Sequence, residues 1–453
     1  MRENNFQSRA PVSAWKADTH PMLDRFGKGL GVEIAAASVA DVAQAGWQIL
    51  REDVSLPVAV LREARITHNL QWMQAFIDRY SVKLAPHGKT TMSPALFQRQ
   101  LAHGAWGITL ATAAQTRAAF GHGVRRVLLA NQLIGRANMA IIAALQQADP
   151  AFEFCCCVDS VENVEALGAY FTAAGQRLRV LLEYGVPGGR TGVRDVAQEE
   201  AVRMAVRRWP ALALVGVELY EGVLNEEGAI RDFLRRVCAR VQAIADAGDF
   251  ATGEATFQHE GTSMAPILSG AGSAWYDVVA EEFTAGAATM ELVLRPGCYL
   301  THDVGIYRRA NERIQADNPI AREMQRSLLP ALQLWAYVQS VPESGKAIVA
   351  LGKRDAAFDA GFPEVSLHYR PSSLANAADA VGERPPVAAP ADWKITAMMD
   401  QHAFLTVPPG ADIQPGDMLC FDISHPCLTF DKWKQLLLVD EDYKVTGAVT
   451  TFF

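Results

Sequence analysis

No stretch of this 453-residue chain holds the roughly 20 consecutive apolar residues that a bilayer crossing needs. The polar first 21 residues also lack the apolar core of a secretory leader. There is no run of basic residues and no interleaving of basic with aromatic side chains, and the net charge is −8. An acidic surface of that kind argues against a polyanionic partner such as nucleic acid. Cysteine is scarce and odd in number, seven in all, which fits reduced thiols and a cytoplasmic setting better than a disulfide framework. Three of the seven, Cys155, Cys156 and Cys157, are consecutive in an apolar run. Neighbouring strand residues point to opposite faces, so the trio makes a poor metal cage and reads as small core residues. No internal repeat is visible.

What the chain does have is a regular alternation of short apolar runs with segments of helical spacing. Residues 56–61 read as a strand, and 66–80 carries Ile66, Leu70, Met73, Phe76 and Ile77 at helical spacing. Further strands are expected at 81–85, 106–110, 124–129, 152–158, 178–183, 212–220, 267–269 and 290–294. Helices are expected between them at 113–120, 139–147, 199–208 and 229–247, with Asp159-Ser160 capping another. Such repeated strand–helix units predict a parallel sheet or an eight-fold (β/α)8 TIM barrel, and residues 55–315 match the roughly 250 residues of the barrel. Beyond 320 the chain reads as strands separated by Pro/Gly turns, at 332–341, 346–351, 393–399, 404–407, 418–423 and 435–439. That texture predicts an antiparallel β domain over 316–453. Residues 371–391, rich in Ala, Pro and Ser, read as a surface excursion, and residues 1–54 as an N-terminal segment packing on the β domain.

The segment richest in chemistry is 81–91, Ser-Val-Lys-Leu-Ala-Pro-His-Gly-Lys-Thr-Thr. Pro86 and Gly88 end a short apolar strand and leave Lys89 at its C-terminal tip, the end where α/β enzymes keep their chemistry. A lysine there, beside His87, is suited to form a Schiff base with a carbonyl, the role pyridoxal phosphate asks of it. Four other segments carry candidate groups. Gly270-Ala271-Gly272-Ser273 follows a late strand, and its small residues let backbone N–H groups approach a phosphate, though a plain turn reads the same way. Arg190 stands in the glycine-rich loop 185–192, suited to an anion or a pyridine nitrogen, or simply solvated. Tyr220 ends the strand 212–220, either facing a ring nitrogen or packed in the core. His425-Pro426-Cys427 lies in the β domain, where positions i and i+2 of an extended segment face one way. Imidazole plus thiolate is a borderline-soft pair suited to zinc, and two ligands leave positions open for a substrate oxygen.

In this order, Pro86-His87-Gly88-Lys89-Thr90, the Arg190 loop, Tyr220-Glu221-Gly222, the loop 269–273, Arg295-Pro296-Gly297-Cys298-Tyr299 and the His425/Cys427 pair resemble the D-serine dehydratase/D-threonine aldolase family, in its bacterial amino acid deaminase branch. The resemblance runs from about residue 55 to the end. It implies an alanine-racemase-like barrel of the fold-type III pyridoxal phosphate enzymes with a C-terminal antiparallel β domain. It further implies that Lys89 carries the cofactor as a Schiff base and acts as the α-proton base. Arg190 and Tyr220 would flank the cofactor ring, with His87 beside it, and Gly270, Ala271, Gly272 and Ser273 would hold its phosphate. His425 and Cys427 would bind Zn2+. A homodimer is implied as well, the β domain covering the barrel mouth of a partner subunit.

The function this predicts is elimination of the β-hydroxyl from a small D-amino acid, D-serine or D-threonine, giving a 2-keto acid and ammonia. The aldolase branch typically has a carboxylate in place of Cys427, so the thiolate tilts the expectation toward dehydration. D-threonine aldolase activity is the first alternative. An amino acid racemase, which would need a second base on the opposite face, is another, and a non-enzymatic cofactor carrier is a third.

Overall fold

The structure is a computed structural model that describes residues 22–31, 38–259, 262–371 and 385–453. The first 21 residues, and most of the expected surface excursion (372–384), lie outside the described residues.

The described residues form two large sheets around which the rest is built, and one small two-stranded sheet, Gln258–His259 with Thr262–Ser263. One is an eight-stranded parallel sheet: Lys83–Leu84, Ile108–Leu110, Arg126–Gln132, Glu153–Val158, Leu178–Tyr184, Leu212–Leu219, Ile267–Gly270 and Glu291–Leu294. Its first and last strands pair, Leu84 opposite Leu294. The Lys83–Leu84 strand also meets Ile108–Leu110, through a parallel bridge between His87 and Thr109 and a bond from the Trp106 amide to the Leu84 carbonyl (2.7 Å). The sheet is therefore a closed barrel, and closure leaves no edge exposed.

Helices cover the barrel's outer face, and the expected alternation is present throughout. Ser160 caps the helix Val161–Ala173 by accepting from the Asn163 amide. The helix Pro94–Ala102 has no counterpart in the sequence reading; it starts on a proline, whose missing N–H is an orphan at a helix start anyway. The helix Glu63–Tyr80 precedes the first barrel strand and closes the ring on Tyr276–Gly286, where Phe76 meets Tyr276 edge-on at 5.2 Å.

The strand Val58–Arg62 corrects the expected boundary at residue 55. It is not a barrel strand. It lies in the second, mostly antiparallel sheet, between Leu332–Glu343 and Gln435–Val439, antiparallel to the first and parallel to the second. All five of its residues are buried, and a run buried on both faces reads the same in either sheet. Three other strands of that sheet, Glu364–Tyr369, Val387–Ala388 and Val445–Thr450, have no counterpart in the expected strands, and the second lies within the expected surface excursion. The described part of the N-terminal segment lies against the same sheet. The Asp24 amide donates to Gln435 (2.9 Å), Lys28 pairs with Asp355 and sits 3.9 Å over the Trp433 ring, and the Val445 amide bonds the Trp47 carbonyl (2.8 Å).

The barrel interior explains where the chemistry sits. Its lower layer is apolar, with Leu128, Cys155, Leu181, Ile267 and Val293 packed on Phe257 and Trp106. Side chains two residues on share a face. Moving up two residues gives Cys157, Glu183, Ser269 and Arg295, all buried. The barrel thus changes from apolar to polar toward the C-terminal ends of its strands. Cys156, pointing the other way, belongs to the core between sheet and helices.

Trp335 is one of two fully buried tryptophans of the β domain, opposite Val58 and 5.0 Å edge-on to Tyr443. Trp335→Ala should cost about 3–5 kcal/mol of stability in urea unfolding. A loss below about 1 kcal/mol would show that the sheet does not depend on this contact.

Candidate active site at the barrel mouth

The C-terminal ends of the barrel strands bring together the candidates that the sequence scattered over some 200 residues. Lys89 lies in a single 3-10 turn, Gly88–Thr90, directly after the first barrel strand. That turn is tight because a Cβ on Gly88 would fall 2.8 Å from the Phe97 ring. Lys89 makes no hydrogen bond or ion pair to any described residue. It reaches solvent through the open mouth yet is crowded by protein. That crowding, more than the Arg190 and Arg295 charges, lowers its pKa, while Cys427 and Cys298 act in the opposite sense. His87 Nδ1 is buried without a partner. Burial first, then the Lys89, Arg295 and Arg190 charges, hold the imidazole well below its ordinary pKa, so it is neutral.

Arg190 and Tyr220 meet at the mouth, the guanidinium 4.3 Å from the centre of the Tyr220 ring. Arg295 lies on the same ring at 5.5 Å. Below it, Arg295 is ion-paired with Glu218, each side chain 2% exposed, and it donates to the Leu219 carbonyl (2.6 Å). Burial raises the Glu218 pKa against the opposing pull of Arg295, and Glu218 keeps Arg295 charged against the effect of burial. Arg295 Nε has no partner.

The loop 270–273 lies beside this group. Its Gly272 amide donates to Glu221 (2.6 Å), and Ser273 Oγ accepts from the Gly297 and Cys298 amides (3.1 Å each). The small residues are needed here. A Cβ on Gly272 would lie 3.0 Å from the Tyr220 ring and 3.3 Å from the Glu221 carboxylate, and Ala271 adopts φ +80°. The helix Tyr276–Gly286 follows, its N-terminus facing the loop.

His425 and Cys427 close over this same mouth. The expectation of an extended segment does not hold: Pro426 is helical (φ −63°, ψ −48°) and starts a short helix, Cys427–Phe430. The two side chains still meet, and the Cys427 sulfur lies 3.5 Å from Thr90 Oγ1, one residue from Lys89. It also lies 3.7 Å from Cys298 Sγ. The β domain therefore reaches its own chain's barrel through the His-x-Cys segment. The Cys298 thiol, more than any other influence, draws the Cys427 pKa well below that of a free thiol, with help from His425 and Thr90 against burial. Contact with Cys427, then Asp359, raises His425 to about 9 against burial. His425 Nδ1 is 2.8 Å from the Asp359 carboxylate, an arrangement that fixes the ring and leaves its other nitrogen for a ligand. Cys298, Asp359 and Glu218 had no role in the sequence reading. Asp359 is 66 residues from His425, and no local pattern joins them.

One further cluster has metal-ligand chemistry: Cys157, Glu183 and Glu218, their ligand atoms within 4.8 Å of one another inside the barrel. Its chemistry does not suit a cation. Arg295 already neutralises Glu218, and Glu183 is held by Gln132 and by Thr191 (2.5 Å), with burial lifting its pKa to about 7.

Comparison with known proteins decides the family. Residues 61–278 match the N-terminal domain of alanine racemase, and residues 331–439 match a putative serine dehydratase domain. The chain belongs to the alanine-racemase-like family of pyridoxal phosphate enzymes, in its D-serine dehydratase/D-threonine aldolase branch. It is 28% identical to a D-threonine aldolase of Arthrobacter over 403 residues, 88% of this chain and 92% of that protein. The crystal structure of a D-threonine aldolase from Filomicrobium marinum shares the fold (TM-score 0.70, 22% identity, 90% of this chain and 97% of the other). So does a D-threo-3-hydroxyaspartate dehydratase from Delftia sp. HT23 (TM-score 0.68, 21% identity, 89% and 99%). This member of the family is a pyridoxal phosphate-dependent lyase. The residues at the mouth fit the cofactor: an unpartnered lysine at a strand tip, two buried ring and guanidinium nitrogens without partners, and a small-residue loop at a helix start. No helix among the described residues is long and apolar enough to cross a membrane.

Breaking a buried ion pair leaves a bare charge, at about 3–5 kcal/mol. Arg295→Met should lower stability in urea by that amount, and adding Glu218→Gln should recover much of it. A single variant as stable as the parent would mean the pair does not organise the mouth.

Proposed function

We propose that the chain is a pyridoxal phosphate- and zinc-dependent D-amino acid dehydratase that converts D-serine or D-threonine to a 2-keto acid and ammonia. The observation that carries this reading is the meeting of the His425/Cys427 pair with the Lys89 turn, 3.5 Å from Cys427 Sγ to Thr90 Oγ1. A proton base and a soft metal pair at one mouth match a reaction that removes an α-proton and a β-hydroxyl from the same molecule.

Bound pyridoxal phosphate supplies an electron sink for the α-carbon, and zinc a Lewis acid for the leaving oxygen. The chain's own residues do the rest. Lys89 would hold the cofactor, and the crowding that lowers its pKa favours the neutral amine needed to take the α-proton. Arg190, which stacks on Tyr220, would meet the cofactor ring together with that tyrosine and His87, and Gly270, Ala271, Gly272 and Ser273 would receive its phosphate. His425 and Cys427 would hold the metal, with Asp359 hydrogen-bonded to the other nitrogen of the imidazole. Loss of hydroxide from the β-carbon and the proton from the α-carbon gives an enamine, which takes up water to release ammonia and the keto acid.

A homodimer in a reducing cytoplasm completes this reading. The exposed Phe358, Phe362 and Leu428, near Asp359 and Cys427 in the chain, and seven free cysteines support it. Retro-aldol cleavage to glycine and an aldehyde is the second reading, supported by the aldolase that matches 88% of the chain. A thiolate ligand suits zinc better than the harder divalent ions, which favours the dehydratase.

Products separate the two. The cofactor-loaded protein, given D-serine or D-threonine, should release keto acid and ammonia, lose that activity on chelation, and regain it with zinc. Glycine and aldehyde in their place would establish the aldolase. Lys89→Ala should lower turnover by at least about 10²–10⁴-fold, with the cofactor no longer fixed to the protein by borohydride. Cofactor fixed equally well to this variant would remove Lys89 from its role.

A further inference from the structure

We infer that Cys298 is a third protein ligand of the metal, completing a Cys2His set with one position left for substrate. This rests on the reading that His425 and Cys427 bind zinc, and extends it to a residue of the barrel. Catalytic zinc sites are held by three protein ligands with a fourth position open, and a Cys2His set is one of the known forms. His425 and Cys427 supply two.

The geometry points to Cys298 for the third. It opens the 3-10 turn Cys298–Leu300 after the last barrel strand and is 3% exposed. Its backbone is fixed, the amide donating to Ser273 Oγ at 3.1 Å. Its sulfur lies 3.7 Å from the Cys427 sulfur. Two thiolates each about 2.3 Å from one tetrahedral zinc sit roughly 3.8 Å apart, so the two sulfurs already have the spacing of a shared ion. Thr90 Oγ1 touches both sulfurs, 3.8 Å from Cys298 Sγ and accepting from Cys427 Sγ at 3.5 Å.

The imidazole is the donor that has to move. The three ligand atoms do not all lie within 4.8 Å of one another. His425 is held by Asp359 at 2.8 Å, so the ring and this partly exposed carboxylate must turn together to bring the other ring nitrogen to the two sulfurs. Binding displaces the Cys298 thiol proton to solvent, and the second sulfur then bonds the metal instead of donating to Cys427. The consequence is a junction in which one ion ties the barrel to the β domain, one sulfur from each.

The test is X-ray absorption at the zinc edge on the holoenzyme, which counts sulfurs at about 2.3 Å from the metal. Two sulfurs are expected in the natural protein and one in Cys298→Ser, with zinc lost to a competing chelator at least about tenfold more readily. One sulfur in the natural protein would overturn the inference and leave the His425/Cys427 reading standing; this arm needs no variant to fold. No sulfur at all would overturn both. A count of two that Cys298→Ser leaves unchanged would place the second sulfur elsewhere and also overturn it.

Discussion

The carboxylate of Glu218 and the guanidinium of Arg295 face each other inside the barrel, both almost wholly shielded from water. Each charge would be untenable there without the other. The pair sits where the barrel filling changes from apolar to polar, and neighbouring groups take their positions from it. Arg295 holds the Leu219 carbonyl, fixing the strand end that carries Tyr220, and lies over the Tyr220 ring that Arg190 covers from another direction. Three residues beyond Arg295 the chain turns at Cys298, directly under Cys427.

The second constraint is the way the two sheets share the chain. The strand Val58–Arg62 is laid down before the barrel yet sits within the sheet formed mainly by the last 120 residues. The barrel is thus an insertion between strands of the β domain, tethered at both ends. Arg62, at the end of that strand, reaches Tyr443 (2.8 Å) and Glu441 (2.5 Å) across the same sheet. A tether on both sides limits how far the His425–Cys427 segment can swing from Lys89. That rigidity is what the proposed metal pair of one domain would need to face a cofactor held by the other.

Much of this was legible in the sequence because barrel strands and helices are periodic and locally specified. The lysine turn showed itself through Pro86 and Gly88, and the proposed metal pair through its spacing. The strand at 58–62 was visible as a strand, but periodicity does not say which sheet a fully buried run joins. The partners of the site residues were not legible. Cys298 and Cys427 are separated by 129 residues, and they meet only because the β domain folds back over its own barrel. The His-x-Cys spacing predicts an extended segment, whereas Pro426 turns it into a helix. The two side chains meet with Pro426 helical, a geometry that the i, i+2 spacing does not predict.

The central claim is that Lys89 and the His425/Cys427 pair of the same chain form one site. A crystal structure of the cofactor- and zinc-loaded protein, with anomalous diffraction recorded at the zinc edge, tests it most directly. The account predicts a zinc peak bonded to His425 and Cys427, facing a cofactor joined to Lys89 of the same chain. A peak inside the barrel at Cys157, Glu183 and Glu218, or a cofactor joined to another lysine, would contradict it.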